Sequence, residues 1–330
     1  MDDSRGLNYL YVIFILTPVL HLMKKSCLIF ICFWFLITAH GQNSDSARTL
    51  SSINKTRLVI VASGSAAVWG SSFIALNQAW YSDYPRSSFH FFNDNREWQL
   101  ADKAGHLWSS YQVSRIWSEM WGWTGMKKKS AVIAGGASGI AYLSIIEIQD
   151  GYSSGWGFSW GDVAANLAGS AAYVLQELGW KEQKLLVKMS YSPFNYGNDL
   201  KERRNQLFGK SFAERILKDY NSQSYWISLN VHALTGTRLP AWLNVAVGYH
   251  AEGMLGGFKN SWTDKYGNYY DRSDIRRTKS LLISPDIDFT KIKSGNKSVR
   301  SLLFLLNMVK FPAPALQLSR GRLKGKWMYF

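Results

Sequence analysis

Asp102-Lys103-Ala104-Gly105-His106 puts a carboxylate and an imidazole four residues apart, the step that brings side chains onto one face of a helix. Two later stretches have the same character. Glu147-Ile148-Gln149-Asp150 places acids three apart, and Asp162-Val163-Ala164-Ala165-Asn166 repeats the four-residue step. If three helix ends converge, Asp102, Lys103, His106, Glu147, Gln149, Asp150, Asp162 and Asn166 form one polar cluster. Burying such a cluster is costly unless its charges are paired, so it marks either chemistry or a fixed packing arrangement. The chemistry would be acid–base or metal-assisted hydrolysis or group transfer on an envelope lipid or glycan. His106 would then be the base or a ligand, with Glu147 and Asp150 as orienting carboxylates or ligands. No His-Glu-x-x-His and no phosphate-binding loop accompanies these residues. A non-catalytic clamp, or a site gripping an envelope amphiphile, is the favoured reading, since helix-end acids without a nucleophile are more often structural.

The elements that must position these groups are small-residue-rich helices. Residues 58–82 carry no charge, with Ala62, Ala66 and Gly70 as a small stripe, and Tyr84-Pro85 ends the helix. A connector follows in which His90, Asp94 and Glu97 stand at helical spacing, compatible with a metal or with a surface turn. Further helices are expected over about 102–121, 130–148 and 161–178, with Gly135 and Gly139 in the second of these and Ala165, Gly169 and Ala172 in the third. The loop 151–160 is rich in glycine and tryptophan. Its Tyr152, Trp156 and Trp160 are candidates for contact with a membrane or amphiphile. If all four helices crossed a bilayer, Lys127-Lys128-Lys129 would fall on the outer side, against the positive-inside tendency. A tight bundle over 55–182, attached to or partly embedded in a membrane, fits better.

Met23-Lys24-Lys25-Ser26, an apolar run from Cys27 to Thr38 and Ala39-His40-Gly41 have the order of a secretory signal peptide. Translation is expected to start at Met23, with residues 1–22 an over-extended start and 23–41 the signal; a retained anchor is the alternative. Cys27 and Cys32 both lie in this segment, so residues 42–330 offer no disulfide, cysteine-ligated metal or lipidated cysteine. Arg5, Lys24, Lys25, Asp2 and Asp3 precede residue 42, leaving 35 basic and 21 acidic residues, a net charge of +14. On an exported chain this favours a membrane or anionic envelope polymer as partner over nucleic acid, with a merely solvated basic surface as the plain alternative. No protein partner and no cofactor other than a possible metal is indicated. The expected location is the periplasm or membrane-associated envelope of a Gram-negative-type bacterium.

Beyond Trp180 the pattern changes. Segments 185–191, 225–234, 241–249, 281–289, 302–311 and 315–330 read as strands, clearest where Leu243, Val245, Val247 and Tyr249 alternate with Asn244, Ala246 and Gly248. Ser211 and Glu214 fit a capping box for one amphipathic helix near 211–220. The fold class is therefore α+β, a helical bundle followed by an antiparallel β-rich region over 183–330. The strands and the terminal Phe330 suit an outer-membrane barrel, yet six segments fall short of eight strands, which favours a sheet docked on the bundle. His232 and His250 read as structural histidines.

Asp-Lys-x-x-His, Glu-x-x-Asp and Gly-Trp-x-x-Ser-Trp-x-Asp before a small-residue helix resemble a family of uncharacterised predicted periplasmic lipoproteins. The order is also similar to the VanZ-like family linked to glycopeptide resistance. The resemblance implies that Asp102, Lys103 and His106 match a first motif, Glu147, Gln149 and Asp150 a second, and Asp162, Asn166 and Gly169 a third. It covers about residues 58–180 and implies an envelope location without naming a reaction. The C-terminal half has no counterpart in the short members.

Overall fold

The computed structural model describes residues 52–81 and 84–330. The expected start, signal peptide and both cysteines lie outside them. Four long helices come first: α1 Lys55–Leu76, α2 Ala101–Trp123, α3 Lys128–Gly151 and α4 Trp160–Gly179. Asn54 and Ser159 open α1 and α4 as N-caps, accepting hydrogen bonds from the Arg57 and Asp162 N–H groups. Beyond α1 the chain widens into a π-helical turn, Asn77–Tyr81.

Helices α2, α3 and α4 pack closely because their contact positions are small. A Cβ on Gly135 would stand 2.6 Å from the Ser114 carbonyl oxygen, so α3 approaches the backbone of α2 directly. The fourth helix of the expected bundle is looser. Only Val61 and Ser65 of α1 are buried, the latter accepting the Trp117 indole N–H at 2.9 Å. Both α1 and α3 are long and apolar enough to cross a membrane, with 11% and 44% of their most apolar windows buried. That difference makes α3 partly a core helix and leaves α1 largely uncovered by the other described residues.

The second half is an antiparallel sheet, so the α+β architecture expected from the sequence is the one observed. Its strands are β1 Leu185–Tyr191, β2 Gln223–Asn230, β3 Leu243–Glu252, β6 Thr278–Ile287, β7 Ala313–Ser319 and β8 Arg322–Tyr329, in spatial order β1-β2-β3-β6-β7-β8. β4 Ser261–Thr263 and β5 Tyr269–Asp271 form a separate hairpin. Short helices α5 Lys201–Phe208, α6 Phe212–Lys218 and α7 Val231–Thr235 fill the connections, α6 carrying the capping box read from Ser211 and Glu214. The sheet curls: Lys188 of β1 pairs with Asp286 of β6 at 2.8 Å, and Met189 bridges to Val309 just before β7.

Three strand expectations fail. The segment 225–234 stops as a strand at Asn230, whose side chain caps helix α7 and puts His232 on that helix. Residues 302–311 were expected to extend, but Lys297–Leu306 is helix α8, started by the Asn296 side chain, which accepts from the N–H groups of Ser298 and Val299. An apolar run of this kind satisfies either period, and the cap decides it. Residues 315–330 form two strands, because Arg320 and Gly321 both adopt positive φ (53° and 71°) and close a tight hairpin.

Bundle and sheet interlock through polar side chains. Gln112 donates to the Val187 carbonyl at 2.6 Å, Arg115 to that of Phe304 at 2.6 Å, and the Trp108 indole to that of Met308 at 3.1 Å.

Candidate ionic site where three helices meet

Lys103 is the hub. Its Nζ lies 2.8 Å from Asp94, 3.0 Å from Asp102 and 2.7 Å from Asp162, so one ammonium ties the connector, α2 and α4. One turn further along α2, His106 turns Nε2 toward Asp162 (3.6 Å) and Asp102 (3.9 Å). Its Nδ1 faces Asn166 Oδ1 at 3.1 Å and Glu147 Oε1 at 3.4 Å. The structure thus brings Asp102, Lys103, His106, Glu147, Asp162 and Asn166 together, as three helix ends would if they converged.

Two groups stand apart from that centre. Asp150 accepts the Tyr81 hydroxyl at 2.6 Å, tying α3 to the turn after α1. Gln149, on another face of α3 from Glu147, keeps its side-chain oxygen buried without a hydrogen-bond partner.

Acids outnumber bases here, and the environment sorts their charges. Burial, helped by the charges of Asp150 and Asp102, pushes Glu147 up to about 9. Burial and the Asp102 charge push Asp162 up to about 10, and burial takes Asp150 to about 7 against the pull of the Tyr81 hydrogen bond. Asp102 moves the other way: burial opposes its ionisation, but His106, Lys103 and the Tyr220 hydroxyl together hold it below the usual range. Burial would also discharge Lys103, yet Asp102 and Asp162 outweigh it and raise the ammonium further. Burial thus favours the protonated form of Glu147 and, against the pull of Lys103, of Asp162, while Asp102 and Lys103 hold each other charged. Glu147 is fully buried and neither of its oxygens has a well-formed hydrogen bond, the Ser159 backbone giving only weak support.

Just before α2, Trp98, Gln99 and Leu100 adopt consecutive left-handed conformations (φ 46°, 51° and 69°). Such strain persists only where surroundings over-determine it. The Trp98 N–H donates to Gly257, the Tyr249 hydroxyl to the Gln99 carbonyl, and the Trp98 ring packs on Phe208 and Tyr220. The second half therefore sets the angle at which Asp102 enters the site.

The trio His90, Asp94 and Glu97 does not form a metal site. Its segment is extended, Phe91 bridging to Phe158, so helical spacing is lost. His90 faces the Trp156 carbonyl at 2.6 Å, Asp94 joins Lys103, and Glu97 lies beside Gly257. Among the described residues a different trio, Asp102, His106 and Asp162, offers donor atoms within 4.8 Å of one another. In the aromatic loop, Trp156 packs edge-on against Tyr81 and Tyr84, while Tyr152 and Trp160 are exposed, Trp160 stacking on Phe91. Gly151-Tyr152-Ser153-Ser154-Gly155 has the spacing of a nucleophile elbow but follows a helix rather than a strand. The Ser153 hydroxyl accepts the Gly155 N–H at 3.3 Å.

Sequence reasoning missed Tyr220, whose hydroxyl donates to Asp102 at 2.5 Å, and the role of Ser159, which donates to Asp94 at 2.5 Å. Tyr220 stands 118 residues from its partner, with no local signal to connect them. Ser159 also caps α4, and nothing local in the sequence connects it to Asp94.

No curated protein and no solved structure matches the chain significantly. The resemblance to the VanZ-like family gains no support from the matches found. A predicted periplasmic lipoprotein family agrees with an exported, envelope-associated location. The stretch holding every member of the ionic centre except Tyr220 and Tyr81, residues 90–177, matches the model of that family, described as predicted periplasmic lipoprotein (DUF2279).

Proposed function

We propose that this is a non-catalytic, membrane-associated protein of the cell envelope in which the Lys103 centre clamps the bundle to the second half of the chain. One observation carries the reading: a single ammonium within 3.0 Å of carboxylates from three segments, one of which is also held by Tyr220 across 118 residues. Among the described residues the His106 ring nitrogens face an amide and three carboxylates rather than a hydroxyl. Removing one partner of a buried ion pair costs about 3–5 kcal/mol because the other charges stay behind uncompensated. Lys103→Met should therefore lower Tm by roughly 6–20 °C at about 2–4 °C per kcal/mol. An unchanged melt would end the clamp. Association with an anionic amphiphile or membrane is supported by the flank of α1 that the other described residues leave uncovered and by exposed Tyr152 and Trp160.

A second reading, a metal-dependent hydrolase or transferase on an envelope lipid or glycan, has its own support. Asp102, His106 and Asp162 converge, and Glu147, whose two oxygens lack a hydrogen-bond partner, brings Oε1 within 3.4 Å of the His106 ring. A divalent cation held there by Asp102, His106 and Asp162 would supply Lewis-acid chemistry, with Glu147 moving the proton. Lys103 competes for the same Asp162 oxygen. Elemental analysis of the purified full chain separates the two: stoichiometric metal, lost in His106→Ala, favours the enzyme, and metal-free protein favours the clamp.

A further inference from the structure

The sheet is built inside out. In β6, Thr278, Ser280, Ser284 and Asp286 are buried, while Leu281 and Ile283 between them are exposed. β3 follows suit, burying Asn244 and His250 and exposing Val245 and Val247. The concave side carries a polar network beside a small apolar cluster of Trp226, Ala246 and Leu282: Ser228 donates to Asp286 at 2.6 Å, Asn244 to Ser228 at 2.9 Å, and Gln317 to Ser280 at 3.0 Å.

The convex side is apolar in register from strand to strand. Ile227 pairs with Val247, Val247 with Ile283 and Ile283 with Leu316; one row along, Leu281 pairs with Leu318 and Leu318 with Leu323. Near β1 the bundle covers this face, Val187 packing with Tyr111 of α2. At the far end of β3, Tyr249 and Ala251 meet the start of α2; over the rest of the face from β3 to β8, no described residue covers it. Ile283 is 52% exposed, Leu316 50% and Trp327 85%, around a shallow apolar groove of about 610 Å³.

We infer that this convex face is seated in the hydrocarbon of one leaflet of an anionic phospholipid bilayer. Three observations choose lipid over water or a protein partner. Polar-in and apolar-out alternation is the pattern of strands whose outer solvent is hydrocarbon. Exposed cations gather at this edge of the sheet, Lys279 at the near end of β6, Arg320 and Arg322 at the β7–β8 turn and Lys324 and Lys326 on β8. Lys326 lines the groove and Lys324, opposite Gln317, alternates onto the other face of the edge strand; anionic headgroups would meet them along this edge. β8 is an open edge, and its unpaired backbone groups have no partner in hydrocarbon, so the edge lies at headgroup level and the sheet rests on one leaflet. The inference goes beyond the clamp, because it names the contact surface and rests on the other half of the molecule.

The test uses the full chain in a Cys27→Ser, Cys32→Ser background. An environment-sensitive fluorophore is attached at Ile283→Cys, at Leu316→Cys or, as control, at exposed Lys265→Cys on the β4–β5 turn. Both convex positions are half-exposed, so a labelled cysteine there leaves the interior network intact. Each protein is mixed with vesicles of phosphatidylethanolamine and phosphatidylglycerol bearing acyl-chain spin labels. Blue-shifted emission and quenching at 283 and 316, with neither at 265, is the expected result. Vesicle binding without quenching at 283 and 316 would place the attachment on α1 or the aromatic loop and overturn the inference. A blue shift without lipid that grows with protein concentration would mean that a second copy covers the face, and absence of vesicle binding would mean that lipid does not; either also overturns it.

Discussion

Glu147→Gln tests the electrostatic account of the ionic centre in a way that simple truncation does not. Glu147 is fully buried and its carboxyl is pushed from its ordinary 4.5 up to about 9, first by burial and then by Asp150 and Asp102. A group whose folded pKa is raised contributes stability that is fully present below the unfolded value and lost as pH rises toward the folded one. The window is therefore about pH 4.5 to 9, and one pKa unit is about 1.4 kcal/mol. Between pH 5 and pH 8 the wild-type chain should lose up to about 4 kcal/mol through this residue alone. Glutamine keeps the shape of the protonated acid and cannot ionise, so the variant should not suffer that loss. Near pH 5 the two melts should lie close together; by pH 8 the variant should melt higher by roughly 8–16 °C, at about 2–4 °C per kcal/mol. Thermal melts of both full chains across that range decide it. A Tm difference that stays constant with pH, or a variant that loses ground as pH rises, would show that Glu147 is ionised in the folded protein and refute the reasoning.

Other outcomes follow from the same geometry. Gly169→Ala would drive a Cβ into the Leu107 carbonyl oxygen, a backbone atom that cannot swing aside, and should cost about 3 kcal/mol by chemical denaturation; a neutral result would mean that α2 and α4 are not in close contact. Tyr220→Phe removes the hydroxyl held by partly buried Asp102 and should cost about 1.5–3 kcal/mol, as for hydrogen bonds to charged groups. The loss should shrink at low pH, where Asp102 takes up a proton. Joint Tyr152→Ala and Trp160→Ala should weaken flotation on anionic vesicles without moving Tm, since both rings are exposed; unchanged flotation would remove the aromatic loop from the membrane contact.

Spacing alone determined a good deal about this protein. The four-residue steps Asp102–His106 and Asp162–Asn166, with small residues at Gly135 and Gly169, identify helices that can approach closely and carry ionic groups at their ends, because side-chain periodicity and backbone clearance are local properties. Alternation along residues 243–249 identifies a strand for the same reason. Three things depended on tertiary structure. The extended path of residues 88–94 broke up the His90, Asp94 and Glu97 trio and gave Asp94 to Lys103. Tyr220 and the left-handed turn at Trp98–Leu100 reached the site only through contacts with the second half of the chain. The side of the sheet that faces inward was settled by the curl that joins Lys188 to Asp286, since a period of two marks two faces but does not say which meets solvent. Long-range pairing of charges chose among arrangements that local propensity left equal in energy.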